Sequence, residues 1–287
     1  MRESLVDRFP LVPVLAWRPH AAAALLAVAL VLVALPPTRP AGAVLGAVAV
    51  LAGAPAAWRA LPRRRADPAA DDLVVLVCNV WHGRADAAAL ARLVERETPD
   101  LVVLPEAGHD YCAKLVPLVA ALGYRGTATT RAGVPDGWGV TLLTGPRADG
   151  VRVERGRAMR LPHLRATGGV LGDRAFHAVH TTAPARLGTV GEWRRDLRAA
   201  AGWTADGAIV AGDVNATVDH RLLRAVGRSA GPSGAGTWPA GLPRWAGIRI
   251  DHVLLPDGVV ATGASVHDVP GSDHRAVLAR LRLPRLH

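Results

Sequence analysis

The chain has 287 residues, half of them hydrophobic, so it is long and apolar enough for one large domain or two small ones with a sizeable core. Its formal net charge at pH 7 is +10, but Lys114 is the only lysine, and an arginine-rich solvated surface explains this charge at least as well as a nucleic-acid groove does. The two cysteines, Cys78 and Cys112, cannot define a disulfide framework and are not spaced for zinc, so small buried hydrophobic roles are favoured.

Two uncharged apolar stretches lie near the N-terminus. Pro19 to Thr38 matches the roughly 20 residues needed to cross ~30 Å of hydrocarbon. The second stretch is shorter and rich in Ala and Gly, so it is the weaker candidate. We predict a hairpin of two transmembrane helices, at about 19–36 and 41–58, which makes residues 1–58 a membrane anchor. Two buried helices of a soluble protein are the alternative, and a cleaved signal peptide fits less well because no clear cleavage site follows.

The charges around this hairpin give conflicting indications about orientation. By the positive-inside rule both ends of the hairpin, and the domain that follows, face the cytoplasm. The segment 11–17 (LVPVLAW) could instead be the end of a loop after a further upstream helix, and we lean toward a domain outside the cell. The arginines concerned are Arg2, Arg8 and Arg18 before the first helix, Arg39 between the helices, and Arg59, Arg63, Arg64 and Arg65 after the second.

Residues 59–72 have no periodicity and predict a linker, with a catalytic domain over 73–287. Short apolar runs alternate at first with helical patterns, which indicates an α/β domain. Shorter strand-like runs, punctuated by Gly and Pro, then predict two stacked sheets. We expect strands in 73–78, 100–106, 137–145, 150–156, 159–167, 174–182, 207–216, 248–256, 259–269 and 274–283, and helices in 85–97, 109–122 and 189–203.

Several of these apolar runs end or begin in polar residues that are costly to bury. Each one alone is commonly a turn, a cap or a hydrogen-bonded core histidine. Together they combine hard oxygen ligands, which suit Mg²⁺, with histidines, which suit acid–base chemistry near neutral pH. The residues are Asn79, Glu106, His180, Asp213, Asn215, Asp251, His252, Ser272, Asp273 and His274.

Six motifs in order resemble the endonuclease/exonuclease/phosphatase superfamily, the fold of pancreatic-type deoxyribonuclease and abasic-site endonucleases. They are VLVCNVWHG, VLPEAG, AVHTTAP, AGDVNAT, RIDHVLLP and GSDHRAVLARL, and GTWP at 236–239 also matches. The resemblance implies a four-layer α/β (α+β) sandwich, two facing β-sheets with outer helices, behind the membrane hairpin. It also implies a metal site, Mg²⁺ or Mn²⁺, at Asn79, Glu106 and Asp273.

The resemblance also implies catalytic roles. His274 is the base for the attacking water and Asp251 orients it, while His180, Asp213 and Asn215 hold phosphoryl oxygens. The sequence departs from the family where LPEAG lacks a Gln before Glu106. Some nucleases of this family use a tyrosine in the site, and neither Tyr111 nor Tyr124 matches it by motif. This argues against DNA as the substrate.

The hairpin makes the chain similar to the membrane-bound actinobacterial branch of the superfamily, which includes a teicoplanin-resistance membrane protein. This implies a phosphoesterase at the cell membrane acting on a lipid-linked phosphate or pyrophosphate. A membrane-tethered Mg²⁺-dependent nuclease is the alternative enzyme, and an inactive binding protein that keeps the fold is the non-enzyme alternative. Arg275 has no role assigned by sequence, and the oligomeric state is not indicated.

Overall fold

The computed structural model describes residues 7–60, 67–232 and 234–284, as an N-terminal helical segment followed by two six-stranded β-sheets. The helices are α1 Leu11–Ala16, α2 Arg18–Ala34, α3 Arg39–Ala60, α4 Ala87–Glu97, α5 His109–Val119, α6 Leu187–Ala205 and α7 Arg221–Val226. The strands are β1 Leu73–Val77, β2 Leu101–Pro105, β3 Arg125–Ala128, β4 Val140–Thr144, β5 Arg152–Gly156, β6 His163–Thr167, β7 Ala175–His180, β8 Ile209–Asp213, β9 Arg228–Ser229, β10 Asp251–Leu255, β11 Val260–His267 and β12 Ala276–Arg282.

The two sheets have the same plan. The first has the order β11-β12-β1-β2-β4-β3 and the second the order β5-β6-β7-β8-β10-β9. At the centre of each sheet lies one parallel pair, β1 with β2 and β7 with β8, and the other neighbours are antiparallel. Parallel neighbours need a long crossover connection, which α4 and α6 provide. In each parallel pair the carboxyl ends of both strands therefore lie at the same edge of the sheet, and the loops that follow these ends start there.

Alternating strand residues divide the hydrophobic core into three layers. Val75, Val103 and Phe176 belong to the layer between the sheets. Leu76 packs with α4 and α5 on the outside of the first sheet, and Trp193 of α6 belongs to the layer outside the second. This is the predicted sandwich of two facing sheets with outer helices.

The helices predicted at 85–97, 109–122 and 189–203 are present with small differences at their ends, whereas residues 59 and 60 of the predicted linker belong to α3. Asp86 caps α4, because its carboxylate accepts from the Ala89 N–H at 2.8 Å. Gly123, with φ +85°, ends the turn of 3₁₀-helix that follows α5. Residues 61–66, with the arginine cluster 63–65, lie outside the described part of the chain. Asp72, placed in the linker by sequence, is buried and accepts from Thr262 Oγ1 at 2.6 Å, so it is joined to β11.

Helices α2 and α3 pack side by side through small residues. An added Cβ at Gly46 would lie 3.6 Å from the Ala29 Cβ, and one at Gly53 would lie 3.4 Å from the Ala22 Cβ. At Gly42 an added Cβ would lie 2.7 Å from the backbone N of Val33, so a side chain there would push the helices apart. Small residues of this kind allow close helix approach in membranes and elsewhere.

Among the residues that the structure describes, one helix is long and apolar enough to cross a membrane, judged by length and composition. It covers Pro36–Arg59, 24 residues, whereas α2 has 17. The sequence alone favours the first stretch, Pro19 to Thr38, as the stronger candidate for a membrane span, so the structure reverses the order of the two. The reason is local: Leu35 is extended in front of Pro36 and ends α2, whereas a proline in the first turn of α3 is tolerated.

Candidate active site

The carboxyl ends of the central strands bring four polar residues to one edge of the sandwich. Asn79 and Glu106 follow β1 and β2, and His180 and Asp213 are the last residues of β7 and β8. His180 and Asp213 are direct partners in the parallel register of β7 and β8. The sheets face one another, so residues from both meet in the gap between them.

Asp251 reaches this edge because its strand runs in the opposite direction to β8. The sequence predicts a strand over 248–256, and in the structure β10 begins at Asp251. Since β10 is antiparallel to β8, its start lies beside the end of β8, and Asp251 pairs with Asp213 in the register. The final loop adds Asp273 and His274 just before β12.

His274 and Asp251 form a hydrogen-bonded pair. The Nδ1–H of His274 donates to Oδ2 of Asp251 at 2.8 Å, and both side chains are buried. Ser272 fixes the loop, because its Oγ donates to the Asn79 carbonyl at 2.6 Å and accepts from the His274 N–H at 3.0 Å. The second ring nitrogen, Nε2, lies 3.9 Å from carboxylate oxygens of both Asp213 and Asp273, so it faces the centre of the cluster.

Three carboxylates around one imidazole change its protonation. Burial alone lowers the pKa of His274, but Asp251, Asp213 and Asp273 together raise that pKa to about 10. Asp213 is itself buried and close to Asp251, and both effects raise its pKa to about 6. The carboxylates therefore favour the protonated imidazole of His274, and burial together with Asp251 favours the protonated carboxyl of Asp213.

A second set of contacts joins the first sheet to the second. The side-chain amide of Asn79 donates to Glu106 Oε1 and to Asp213 Oδ2, both at 3.0 Å. Glu106 Oε2 accepts from the backbone N–H of His82 at 2.9 Å. Glu106 has φ +60°, a left-handed conformation that costs free energy in any residue except glycine and is found at functional sites.

The predicted metal ligands fit a divalent cation. Asn79 and Glu106 are in direct contact, and Oδ1 of Asp273 lies 3.9 Å from His274 Nε2. Oδ1 of Asp273 and Oδ1 of Asp251 are buried without a hydrogen-bond partner, and such oxygens are costly unless something binds them. Ligand atoms of Asp213, Asp251 and His274 also lie within 4.8 Å of one another. Four carboxylates with two imidazoles leave excess negative charge and oxygen donors, which Mg²⁺ and Mn²⁺ prefer.

The remaining predicted residues lie beside this cluster. His180 Nε2 is 3.9 Å from Glu106 Oε1 and 3.9 Å from Asp213 Oδ2. The Asn215 backbone N–H donates to Asp213 Oδ1 at 2.9 Å, and its side-chain amide donates to the Thr181 carbonyl at 3.0 Å. One of the two side-chain N–H groups of Asn215 therefore binds the loop after β7, and the other is available for a ligand.

Two residues of the site were not singled out from sequence. Trp238 donates its indole N–H to Asp273 Oδ2 at 3.2 Å, and its ring centroid is 6.5 Å from that of His274. His82 places Nδ1 3.2 Å from Glu106 Oε2. The available signals were the GTWP motif, which contains Trp238, and the VWHG end of the first motif, which contains His82.

Arg275 and His252 are structural. Arg275 is buried and donates to Asp268 Oδ1 and to the Ala240 carbonyl, each at 2.6 Å, so it holds the 236–242 loop and does not reach the cluster. His252 donates from Nε2 to the Ala216 carbonyl at 2.9 Å and accepts at Nδ1 from Ser229 Oγ at 2.8 Å. Of the three histidines that the sequence predicts for the site, His274 and His180 lie in the cluster and His252 does not.

Neither tyrosine reaches the site. Tyr124 donates its hydroxyl to the Pro99 carbonyl at 2.7 Å, and burial raises its pKa to about 12. Tyr111 is buried in the layer between α5 and the first sheet. Both cysteines are buried free thiols, in line with the small hydrophobic role expected for them.

Comparisons with known proteins agree on the fold. The sequence profile of the Endonuclease/Exonuclease/phosphatase family matches residues 76–274, a range that contains every predicted site residue. A family protein from Beutenbergia cavernae is 22% identical, with 77% of this chain and 72% of that chain covered and a TM-score of 0.55. No curated protein matches the sequence.

Two further similar structures are of enzymes with a named activity. A mannosyl-6-phosphatase from Bacteroides thetaiotaomicron is 14% identical, covering 74% of this chain and all of that one, with a TM-score of 0.53. An AP endonuclease from Leishmania major is 17% identical, covering 80% of this chain and 95% of that one, with a TM-score of 0.57. At these identities the likeness shows a shared fold.

Proposed function

The chain belongs to the endonuclease/exonuclease/phosphatase family, and from that membership we propose that it is a membrane-anchored phosphoesterase that acts on a lipid-linked phosphate ester, diester or pyrophosphate. Members of the family are hydrolases of phosphate esters, and this chain is an enzyme of that class. The observation that carries the proposal is the buried His274–Asp251 pair at the centre of a carboxylate cluster. An ordinary turn would not bury these charges together.

In the proposed reaction, a water oxygen forms a bond to phosphorus while the bond to the leaving oxygen breaks. His274 receives the proton of that water at Nε2, and Asp251 holds the ring through Nδ1. This role needs the neutral imidazole, and a cation bound among the same carboxylates would lower the pKa of His274 by offsetting their charge. His180, Asn215 and a protonated Asp213 contact the phosphoryl oxygens as hydrogen-bond donors.

The proposed metal ligands are Glu106, Asn79 and Asp273, with Mg²⁺ or Mn²⁺ as the ion. Proteins of this family generally depend on a divalent metal. When bound, such an ion neutralises charge on the phosphate group. The unpartnered buried Oδ1 of Asp273 supports these ligands. Asp213, Asp251 and His274 offer a second, neighbouring set of ligand atoms within 4.8 Å of one another.

The preference for a lipid-linked substrate rests on the N-terminal helices. The helix over Pro36–Arg59 has the length and composition of a membrane span, and we infer that α2 crosses with it as a hairpin. Arg18 at the start of α2 and Arg59 near the end of α3 both bind Asp219, in the loop after β8. An anchor held against the domain in this way keeps the site near a membrane surface, where phosphate-bearing lipids are concentrated.

We propose that the catalytic domain lies on the outer side of the membrane. A C-terminal fusion to alkaline phosphatase tests it, since that reporter is active only when exported. Activity supports an outside domain, whereas an inactive phosphatase fusion together with a fluorescent cytoplasmic reporter fusion would place the domain inside.

A membrane-tethered nuclease is the second candidate function. The AP endonuclease among the similar structures is the observation that favours it. The positions of Tyr111 and Tyr124 away from the site argue against it, since neither supplies a hydroxyl to the cluster. Cleavage of plasmid DNA by the full-length protein with Mg²⁺, lost on His274→Ala, would favour it over the first proposal.

A substrate panel tests the proposed function. Full-length protein in detergent micelles is assayed with Mg²⁺ or Mn²⁺ against polyisoprenyl diphosphates, phospholipids, sugar phosphates and DNA, and His274→Ala is the matched inactive control. We expect the highest kcat/KM on a lipid-linked phosphate. A preference for DNA would select the nuclease, and the same background rate in both proteins on every substrate would indicate an inactive binding protein.

A further inference from the structure

Exposed tryptophans mark one edge of the catalytic domain. Trp138 is 65% exposed and Trp245 is 78% exposed, and Trp81 is also exposed. Large aromatic side chains are usually buried, so several exposed together on one edge indicate a contact surface. Leu187 and Leu242 add exposed aliphatic side chains.

Each of these tryptophans lies on a loop that also holds the active site. The backbone N–H of Trp81 donates to Asn79 Oδ1 at 2.9 Å. Trp138 ends a 3₁₀ turn that begins at Asp136, whose carboxylate accepts from the Gly108 N–H at 2.8 Å, two residues after Glu106. The aromatic edge and the catalytic cluster are therefore parts of the same set of loops.

The loop of Trp245 is attached to Asp273 itself. At one end of this loop Trp238 bridges Ile248, and within it the Ala240 N–H donates to the Asp273 carbonyl at 2.7 Å. Trp245 lies at the outer part of this loop, next to Arg244. We call Trp81, Trp138 and Trp245 together the aromatic rim.

The base of the helical hairpin reaches the same edge. The ring of Trp17, just before α2, contacts the ring of Trp238 edge-on with centroids 6.3 Å apart. Trp238 in turn donates to Asp273. At the end of α3 Trp58 is 69% exposed beside Arg59, which binds Asp219. Tryptophan and arginine at the ends of an apolar helix are typical of the membrane–water interface.

We propose that the aromatic rim docks onto the lipid headgroups of the bilayer that holds the hairpin, so that the site opens at the depth of the lipid phosphates. The proposal rests on the proposed function and adds the surface through which the substrate enters. Tryptophan prefers this interfacial depth because its ring is apolar and its N–H is polar. Arg84, whose guanidinium lies 4.5 Å from the Trp81 ring centroid, places a positive charge at the rim, where anionic headgroups attract arginine.

An environment-sensitive probe tests the docking without reference to catalysis. Trp138→Cys and Trp245→Cys are each labelled with a nitrobenzoxadiazole maleimide in the full-length protein, in vesicles of phosphatidylcholine and phosphatidylglycerol. Cys78 and Cys112 are buried and stay unlabelled in the folded protein. Leu118→Cys is the matched control, because Leu118 is an exposed apolar residue near the far end of α5, away from the rim.

We expect blue-shifted emission at positions 138 and 245, with quenching by bromine-substituted acyl chains, and aqueous emission at position 118. Emission at 138 and 245 equal to that at 118 would overturn the proposal. A blue shift without bromolipid quenching would also overturn it, since a protein partner or a second copy of this chain would then cover the rim.

A kinetic comparison separates this proposal from the proposed function. For Trp138→Ser/Trp245→Ser we expect about a tenfold loss of kcat/KM on a vesicle-borne lipid phosphate and none on water-soluble p-nitrophenyl phosphate. Equal losses on both substrates would indicate a structural role and contradict docking. If the wild type hydrolyses no phosphate ester while both rim probes are quenched by bromolipid, the proposed function fails and the docking surface stands.

Discussion

The imidazole of His274 and the carboxylate of Asp251 lie 2.8 Å apart although the residues are 23 positions apart in the chain. Asp251 begins β10, and His274 ends the loop that leads into β12, so a strand from each sheet supplies one partner. We expect Asp251→Asn to lower kcat by roughly 100- to 1,000-fold, because the ring loses the partner that fixes its tautomer and orientation.

The matched control for that variant is Asp257→Asn, an exposed carboxylate in the turn just after the same strand. Phosphate release and thermal melting are measured for both proteins. Full activity in Asp251→Asn would contradict the assigned role. A lower melting temperature together with a proportionate loss of activity would indicate that Asp251 supports the fold alone.

Metal binding is expected to depend on Glu106. Mg²⁺ or Mn²⁺ should raise the melting temperature of the wild type, because the ion offsets the repulsion among the buried carboxylates. Glu106→Gln should weaken Mn²⁺ binding at least about tenfold, as measured by electron paramagnetic resonance of the free ion. Unchanged Mn²⁺ affinity in this variant would show that the ion, if bound, uses other ligands such as Asp213 and Asp251.

The helical hairpin predicts a cross-link. The Cβ atoms of a cysteine pair Ala29→Cys/Gly46→Cys would lie 3.6 Å apart, within the range for a disulfide. Oxidation in membranes should therefore remove both added thiols, as counted by a polyethylene-glycol maleimide after denaturation. Val28→Cys/Val48→Cys, at two exposed positions of the same helices, is the control and should keep its thiols. Equal reactivity of the two pairs would argue against the hairpin.

Stability should fall in acid partly through His177. Its ring is buried, stacked on Trp203 with centroids 4.0 Å apart. Burial, with the positive charges of His163 and Arg165, lowers its pKa to about 3. Below about pH 6.5 the unfolded chain binds a proton here that the folded chain does not. The neutral, buried imidazole of His177 therefore stabilises the fold fully above about pH 6.5, and this stabilisation is lost as the pH falls toward 3.

Replacing this imidazole should reduce the acid sensitivity. In His177→Phe the ring can still stack on Trp203, and we expect melting temperature to change less steeply with pH between about 6.5 and 4.5 than in the wild type. Identical slopes in the two proteins would show that His177 does not titrate differently on folding.

Much of the fold could be predicted because its signals are local. Buried strands give short apolar runs, and the polar residues that follow them, such as Asn79 and Glu106, stand out by contrast. Residue order was enough to associate Asp251, Asp213 and His274 with one site through the resemblance. It was not enough to show that Asp251 pairs with Asp213 across the sheet, since that depends on β10 being antiparallel to β8.

The features that could not be predicted depend on tertiary contacts. Arg275 adjoins His274 in sequence, yet its guanidinium turns to Asp268 and loop carbonyls. Trp238 joins the site through Asp273, which is 35 residues away. The contact of Trp17 with Trp238 and the two arginines on Asp219 link the N-terminal helices to the catalytic domain, and no local pattern encodes such links.

The rate of phosphate release by the full-length protein, with and without the His274 imidazole, is the sharpest test of His274 as the base for the attacking water. The assay uses the best substrate of the panel, with Mg²⁺ present or removed by a chelator. We expect at least about a hundredfold loss of kcat in His274→Ala and loss of activity on metal removal. Equal rates in wild type and His274→Ala, at matched folding and metal occupancy, would contradict it.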